Sequence, residues 1–357
     1  MNLFDADLLL ATIIIACPLV LASTGELISQ RSGVINIGLE GMILAGSFFS
    51  FWAYAESGSA TFSFLIGALA GATLGLLMGS LTTLLLGNQI VVGFGIWIFA
   101  IGTTDYFYVR IYSDLAEKLP DSLANFNLAI FENLPFVNLL SRIPLPTYLA
   151  FLLVPIMSIF LFKTKIGLKI RAAGEMPRVL FESGSSIKIT RHIATVIAGA
   201  FAGLAGSLLV IVEIGNFTPR MSAGRGFLAI AAVLFGRWTF KGTVLACLIF
   251  GFGFAVQYRL QTYQYVPRGS LIILGAVVIV ISLILMLRKK RGSLSLRSTS
   301  INLILLLVTV VSLSTFKFSL PSQFWLSLPF MLVVIGMCRK SFVAGPRFLG
   351  RNFSENN

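Results

Sequence analysis

Apolar residues in this chain fall in long runs rather than at a strand or surface-helix period, and those runs set the elements. They lie near 8–23, 34–54, 61–86, 89–109 and 147–163, then near 193–214, 226–236, 242–258, 269–287, 301–316 and 324–338. A bilayer core about 30 Å thick takes roughly 20 residues of apolar helix, so the pattern predicts an all-α polytopic transmembrane bundle of about eleven spans (range 9–11). Two runs are irregular. The stretch 226–236 is short and reads as a half-helix. The run from Arg31 to Glu40 is broken by Gly33 and Gly38, so its start is not a plain helix.

Composition strengthens this reading. Of 357 residues, 57% are hydrophobic and 11% charged, with a mean hydropathy of +0.92. Soluble domains carry about 25% charged residues. The apolar excess must face lipid, which excludes a soluble enzyme, a nucleic-acid binder and a disordered scaffold. Cys17, Cys247 and Cys338 lie far apart inside apolar runs, so neither a metal site nor a disulfide framework is expected, and each reads as a small lipid- or helix-facing residue. Asp5 and Asp7 precede the first apolar run with no Lys or Arg before it, which predicts an uncleaved first helix rather than a signal peptide.

The net charge of +13 gains its meaning from where the charges sit. Lys163, Lys165, Lys169, Arg171, Arg178, Lys188 and Arg191 share the segment 163–192. Further clusters are Arg288 to Arg291 with Arg297, and Arg339, Lys340, Arg347 and Arg351. By contrast, the loop 110–146 carries Asp114, Glu117, Asp121 and Glu132 among its few basic residues. Lys and Arg gather in cytoplasmic loops, and the clusters are separated by even numbers of spans. The predicted topology has the N-terminus outside and the C-terminus inside.

Chemistry is sparse. No GxxxxGK[ST] phosphate loop occurs, so the chain does not bind ATP in the usual way, and the lone His192 beside Arg191 has no nucleophile or metal ligands near it in sequence. Transport remains. Gly67, Gly71, Gly75 and Gly79 recur at every fourth position, and Gly199, Gly203 and Gly206 follow in a later run, which predicts close helix packing. The loop 163–192, KTKIGLKIRAAGEMPRVLFESGSSIKITRH, reads equally as a solvated cytoplasmic loop or as an interfacial helix pair docking a partner. In residues 29–48, Asn36 and Glu40 are polar amid apolar neighbours and Gly33, Gly38 and Gly41. Glu40 reads equally as a residue lining a substrate path or as an interfacial residue pairing with Arg31.

Three strings, SGVINIGLEGMILAGSF, GLKIRAAGEMPR and SAGRGFLAIAAVLFGRW, resemble motifs of the permease subunits of bacterial ATP-binding-cassette importers. They are most similar to nucleoside-type permeases within the nucleoside, ribose and branched-chain amino acid group. The resemblance runs from about 20 to 260 and resumes at 321–350. It implies a non-catalytic subunit of a multi-pass transporter in the bacterial plasma (inner) membrane. A second permease, often a different chain, would share the path. Two ATPase subunits would bind ATP and Mg, and an extracytoplasmic binding protein or lipoprotein would deliver substrate. It places Gly167, Arg171, Ala172, Gly174, Glu175, Pro177 and Gly184 in the ATPase-coupling region, with no cofactor or metal in this chain. For the path it implies Asn36, Glu40, Gln89, Asn216, Phe217 and Arg225, with Trp97 or Phe217 placed to stack on a nucleobase.

The chain departs from the family pattern at Trp97 and Val92, where Asn and Ser are usual, and at Met176 and Ser185 in the coupling stretch. The segment 262–319 reads as an extra pair of spans. Two other readings are weighed against a nucleoside importer: the same machinery carrying a simple sugar such as ribose, and an ion-coupled secondary transporter. The second would need carboxylates at the bundle centre, whereas Glu40, Asp105 and Glu213 mostly sit near span ends. A pure assembly protein is disfavoured by the glycine-broken polar segments.

Overall fold

The computed structural model describes residues 6–112, 142–262 and 345–351. Every regular element among the described residues is a helix. In chain order they form α1 (Ala6–Arg31), α2 (Leu39–Ser57), α3 (Ala60–Gly79), α4 (Gln89–Tyr112) and α5 (Leu145–Lys163). Then come α6 (Lys165–Glu175), α7 (Pro177–Glu182), α8 (Ile187–Leu208), α9 (Arg225–Phe235) and α10 (Phe240–Thr262). α3 and α8 each end in a π-helical turn, Ser80–Leu84 and Leu209–Ile214. Among the described residues, six helices are long and apolar enough to cross a membrane: Ala6–Arg31, Ala60–Leu84, Gln89–Tyr112, Leu145–Lys163, Ile187–Ile214 and Phe240–Arg259. The expected spans 269–287, 301–316 and 324–338, and the extra segment 262–319 beyond Thr262, lie outside the described residues. The chain divides into two compact units, one of Leu9–Ala255 with Pro329–Asn357 and one of Met1–Leu8 with Val256–Leu328. The second is described only at residues 6–8 and 256–262, and everything below concerns the first.

Boundaries follow local chemistry. Gly58 takes φ +64° at the end of α2, and Ser59 accepts a hydrogen bond from Phe62 N–H, so two residues suffice to turn the chain from α2 into α3. Thr164 and Ser186 cap α6 and α8 in the same way, and Pro177 opens α7 at a position where its missing N–H costs nothing. The expected break between Arg31 and Glu40 is present, since residues 32–38 are non-helical before α2 begins at Leu39. The first helix, however, runs to Arg31 rather than ending near residue 23. Ser23, Thr24, Glu26, Ser29 and Gln30 continue it because all five are buried against other segments.

The bundle centre is α2, buried along almost its whole length and packed against α3, α4 and α8. The glycine stripe does what its spacing predicts. A side chain at Gly71 would meet the backbone of Gly199 and Gly203, one at Gly75 that of Thr195, and one at Gly203 that of Gly67. Gly46 of α2 approaches Gly203 as closely. Lipid offers no hydrophobic force between helices, so such small-residue contacts, which maximise dispersion, supply the packing. Cys17 and Cys247 are buried free thiols facing other helices, and Ser23 lies 3.1 Å from the Cys247 sulfur across α1 and α10. Cys338 is outside the described residues.

Candidate functional site

The half-helix α9 is the most unusual element, and its N-terminus organises the polar residues around it. The chain reaches it through two successive left-handed residues, Ala223 (φ 45°) and Gly224 (φ 83°). Such a conformation is strained for alanine and persists only where neighbours enforce it. The neighbour here is Glu40. One of its carboxylate oxygens accepts the Gly224 N–H at 2.8 Å and the other the Gly226 N–H at 2.6 Å. Gly226 has no side chain because the Glu40 backbone and carboxylate occupy that space. The unsatisfied N–H groups and positive dipole end of a helix thus meet a buried anion, a charge-assisted arrangement stronger than neutral hydrogen bonds. This overturns the alternative in which Glu40 pairs with Arg31. Arg31 instead faces Glu175 at 3.6 Å and donates to the Trp238 carbonyl.

One residue into α9, the Arg225 guanidinium pairs with Glu213 at 2.5 Å, the side chains being 4% and 8% exposed. It also lies over the Phe254 ring. Glu213 belongs to the π-helical turn at the end of α8, so a span-end position in sequence is an enclosed one in space. Asp105 behaves differently. It pairs with the well-exposed Arg220 at 3.6 Å.

The other residues singled out for a path fall into three places. Phe217 is fully buried within an aromatic group, edge-on to Phe48 at 5.3 Å and near Tyr108 at 5.2 Å. Asn216 precedes it, half-buried, and its side-chain oxygen accepts the Phe217 N–H. Asn36 lies in the 32–38 loop and Gln89 meets it: Gln89 accepts the Ile35 N–H at 2.9 Å, and the Asn36 N–H donates to Glu26 at 3.2 Å. Trp97 is half-buried, edge-on to Phe227 of α9 at 5.5 Å, with Gly41 against its backbone. Glu40, Arg225, Trp97 and Phe227 therefore converge on the first turns of α9, while Phe217 with Asn216, and Gln89 with Asn36, form separate clusters.

Sequence reasoning missed the chain of contacts behind that loop. The Trp238 indole donates to Gln30 at 2.7 Å, Gln30 donates to Glu26 at 2.8 Å, and Glu26 also receives the Asn36 N–H. Glu26 and Gln30 stand inside the first apolar stretch of helix. Their only sequence signal is a fourth-residue spacing on one helix face.

At the loop 163–192, Gly167 packs under the carbonyls of Phe160 and Leu161, and Gly174 under the Arg31 carbonyl. Arg171 lies 5.2 Å over the Phe162 ring. Pro177 is buried at the start of α7 and Gly184 takes φ +75° at its end. Glu175 is half-exposed. Ile166, Leu168, Met176, Val179, Phe181 and Ile189 present apolar side chains to the outside. His192, at the start of α8, sits 3.4 Å from Ser80 and from Thr83. Among the described residues no cluster of His, Cys, Asp or Glu suits a metal ion.

A helical membrane bundle with a broken half-helix at its polar centre, and a separate pair of short helices beside it, is built as a transport subunit. The family described as branched-chain amino acid transport system / permease component matches residues 8–282. The chain belongs to that family, and it is a non-catalytic permease subunit of an ATP-binding-cassette transporter. TsgC13 of Haloferax volcanii, a putative glucose ABC transporter permease, is 34% identical over 260 residues, 72% of this chain and 79% of its own. NupQ of Bacillus subtilis, a guanosine ABC transporter permease, is 30% identical over 285 residues, 76% and 89% of the two chains. NupC of Lactococcus lactis, a nucleoside ABC transporter permease, is 30% identical over 247 residues, 67% and 78%. No solved structure matches the chain.

Proposed function

We propose that this permease carries nucleosides into the cell, together with a second permease chain, two ATPase subunits and an extracytoplasmic binding protein. The supporting observation is similarity along most of the chain to permeases of guanosine and nucleoside transporters. The path runs past the mouth of α9, whose position Glu40 and Arg225 fix from inside and where the half-buried Trp97 offers a flat ring suited to a base. Asn36 and Gln89 support the wall of the segment beside it, and Phe217 that of the segment beyond, where the half-buried Asn216 stands nearer the path. The chain spans a bacterial plasma membrane with its N-terminus outside and its basic loops inside. The relative named for glucose supports a second reading, the same machinery carrying a simple sugar. Uptake of radiolabelled guanosine by cells dependent on this permease tests the choice. Excess adenosine should suppress it at least tenfold and excess glucose or ribose should not; the opposite pattern assigns the sugar.

The ATPase subunits dock on 163–192. An exposed apolar face on short helices rimmed by Lys165, Lys169, Arg178 and Lys188 suits a groove on a soluble partner. Gly167, Gly174 and Gly184 let these helices turn close to the bundle, Arg171 and Glu175 tie them to Phe162 and Arg31, and Pro177 begins the second helix. Replacing Val179 and Phe181 by Ser leaves the bundle unchanged and should lower ATPase co-purification at least tenfold. Undiminished recovery would reject this docking face.

A further inference from the structure

The segment 345–351 lies far from the rest of the site in sequence, yet it crosses four of its parts. Phe348 N–H donates to the Gly174 carbonyl at the end of α6, and Gly350 N–H donates to the Gly33 carbonyl, both at 2.9 Å. Gly345 lies against the Trp238 ring, where a side chain would overlap the indole. The fourth part is α8, through Arg191. That guanidinium is buried, and it donates to three carbonyls on three different segments. They are Ser32 at 3.1 Å, Ala173 at 3.3 Å and Arg351 at 2.9 Å. Gly33 takes φ +96° and has no side chain where Arg191 passes. A flat fork of five donors can meet three separated carbonyls at once; the compact ammonium of lysine cannot.

We propose that Arg191 is a positioning residue for energy coupling. With residues 345–351 it clamps the end of α6 to the 32–38 loop and the α9–α10 turn. Apart from this clamp, α6 is held by its chain joints at Thr164 and Met176, by Arg171 over the Phe162 ring and by the half-exposed Arg31–Glu175 pair. Those contacts reach the end of α1 and the end of α5, so without the clamp a partner pulling on α6 would move the 32–38 loop and Trp238 less. The clamp converts the same pull into displacement of the 32–38 loop, which leads directly into Glu40, and of Trp238, which lies in the turn that follows the half-helix capped by Glu40. Motion passes through packed, hydrogen-bonded elements as a rigid-body shift.

The inference rests on the importer reading above. The test uses the whole complex in proteoliposomes, measuring guanosine uptake and phosphate release on the same sample. R191Q should raise the ATP hydrolysed per guanosine imported at least tenfold while the ATPase subunits still co-purify, and R191K should raise it about threefold. F348P removes one N–H bond, keeps Arg191 and the chain length, and should shift the ratio in the same direction; it decides the matter if R191Q does not assemble. A ratio unchanged in the assembled variants, whether both rates persist or fall together, overturns the clamp. A wild-type complex that hydrolyses ATP and leaves guanosine outside refutes the cargo reading alone. The clamp is then read from stimulation of hydrolysis by the binding protein, which R191Q should lower at least fivefold, and persistence of full stimulation overturns it.

Discussion

Along its middle turns α8 meets α3 through Gly199 and Gly203, whereas past Leu208 the same helix meets α9 through Glu213 and Arg225. The first contact depends on distance alone. Backbones approach to within a missing side chain, and dispersion falls off within an ångström. The second depends on charge. Glu213 answers Arg225, Glu40 answers the N-terminus of α9, and the strained Ala223–Gly224 turn is held by those bonds. A glycine contact makes two helices one body, while a contact of paired charges holds a broken helix in one of several possible places. A transporter needs both, and this chain puts them on successive turns of one helix.

The comparison breaks most sharply at Arg225. Removing one partner of a buried pair strands the other, so R225A should cost about 3–5 kcal/mol. Replacing both Arg225 and Glu213 by Leu should cost less than R225A alone. Thermal unfolding in detergent, followed for both variants, checks this. G203L tests the other contact. It should cost about 1–3 kcal/mol by overpacking and, unlike R225A, should show no dependence on ionic strength or pH in the same melts. Next is E40Q, which keeps one acceptor and loses the charge. It should lower stability by about 1–2 kcal/mol and reduce uptake more than stability, read as initial rate at equal membrane abundance. The smallest effect belongs to D105N. Its partner is exposed, so the change should stay under about 0.5 kcal/mol and leave uptake unaltered. A large effect there would mean that the Asp105–Arg220 pair is enclosed during transport.

Much of this architecture was written locally. The glycine stripe predicts its own contact, because spacing fixes the face and size fixes the distance. The half-helix at 226–236 is short in the sequence and short in the bundle. What escaped is long-range. The Glu40 carboxylate meets a backbone N–H at a sequence separation of 186, and Arg191 meets the Arg351 carbonyl at 160; no local pattern encodes either. The end of α1 was misjudged for a related reason. Polar Ser23, Glu26 and Gln30 look like the edge of a membrane run, yet they are buried among partners that only the folded chain supplies. Glu213 misled in the opposite sense, since a position at the end of a span did not mean a position at the surface.

Glu40 holds the N-terminus of α9 and Trp238 sits in the turn just past its C-terminus, and the distance between them gives that helix leverage. At 1.5 Å per residue, Arg225–Phe235 is a rod about 16 Å long. A rod pinned at both ends cannot absorb a push by stretching; it can only tilt. A tilt of about 10° swings one end by about 3 Å relative to the other, comparable to the length of a hydrogen bond. Rocking at the tryptophan end is therefore enough to break the Glu40 cap, and the short helix works as a lever whose fulcrum lies in the bundle.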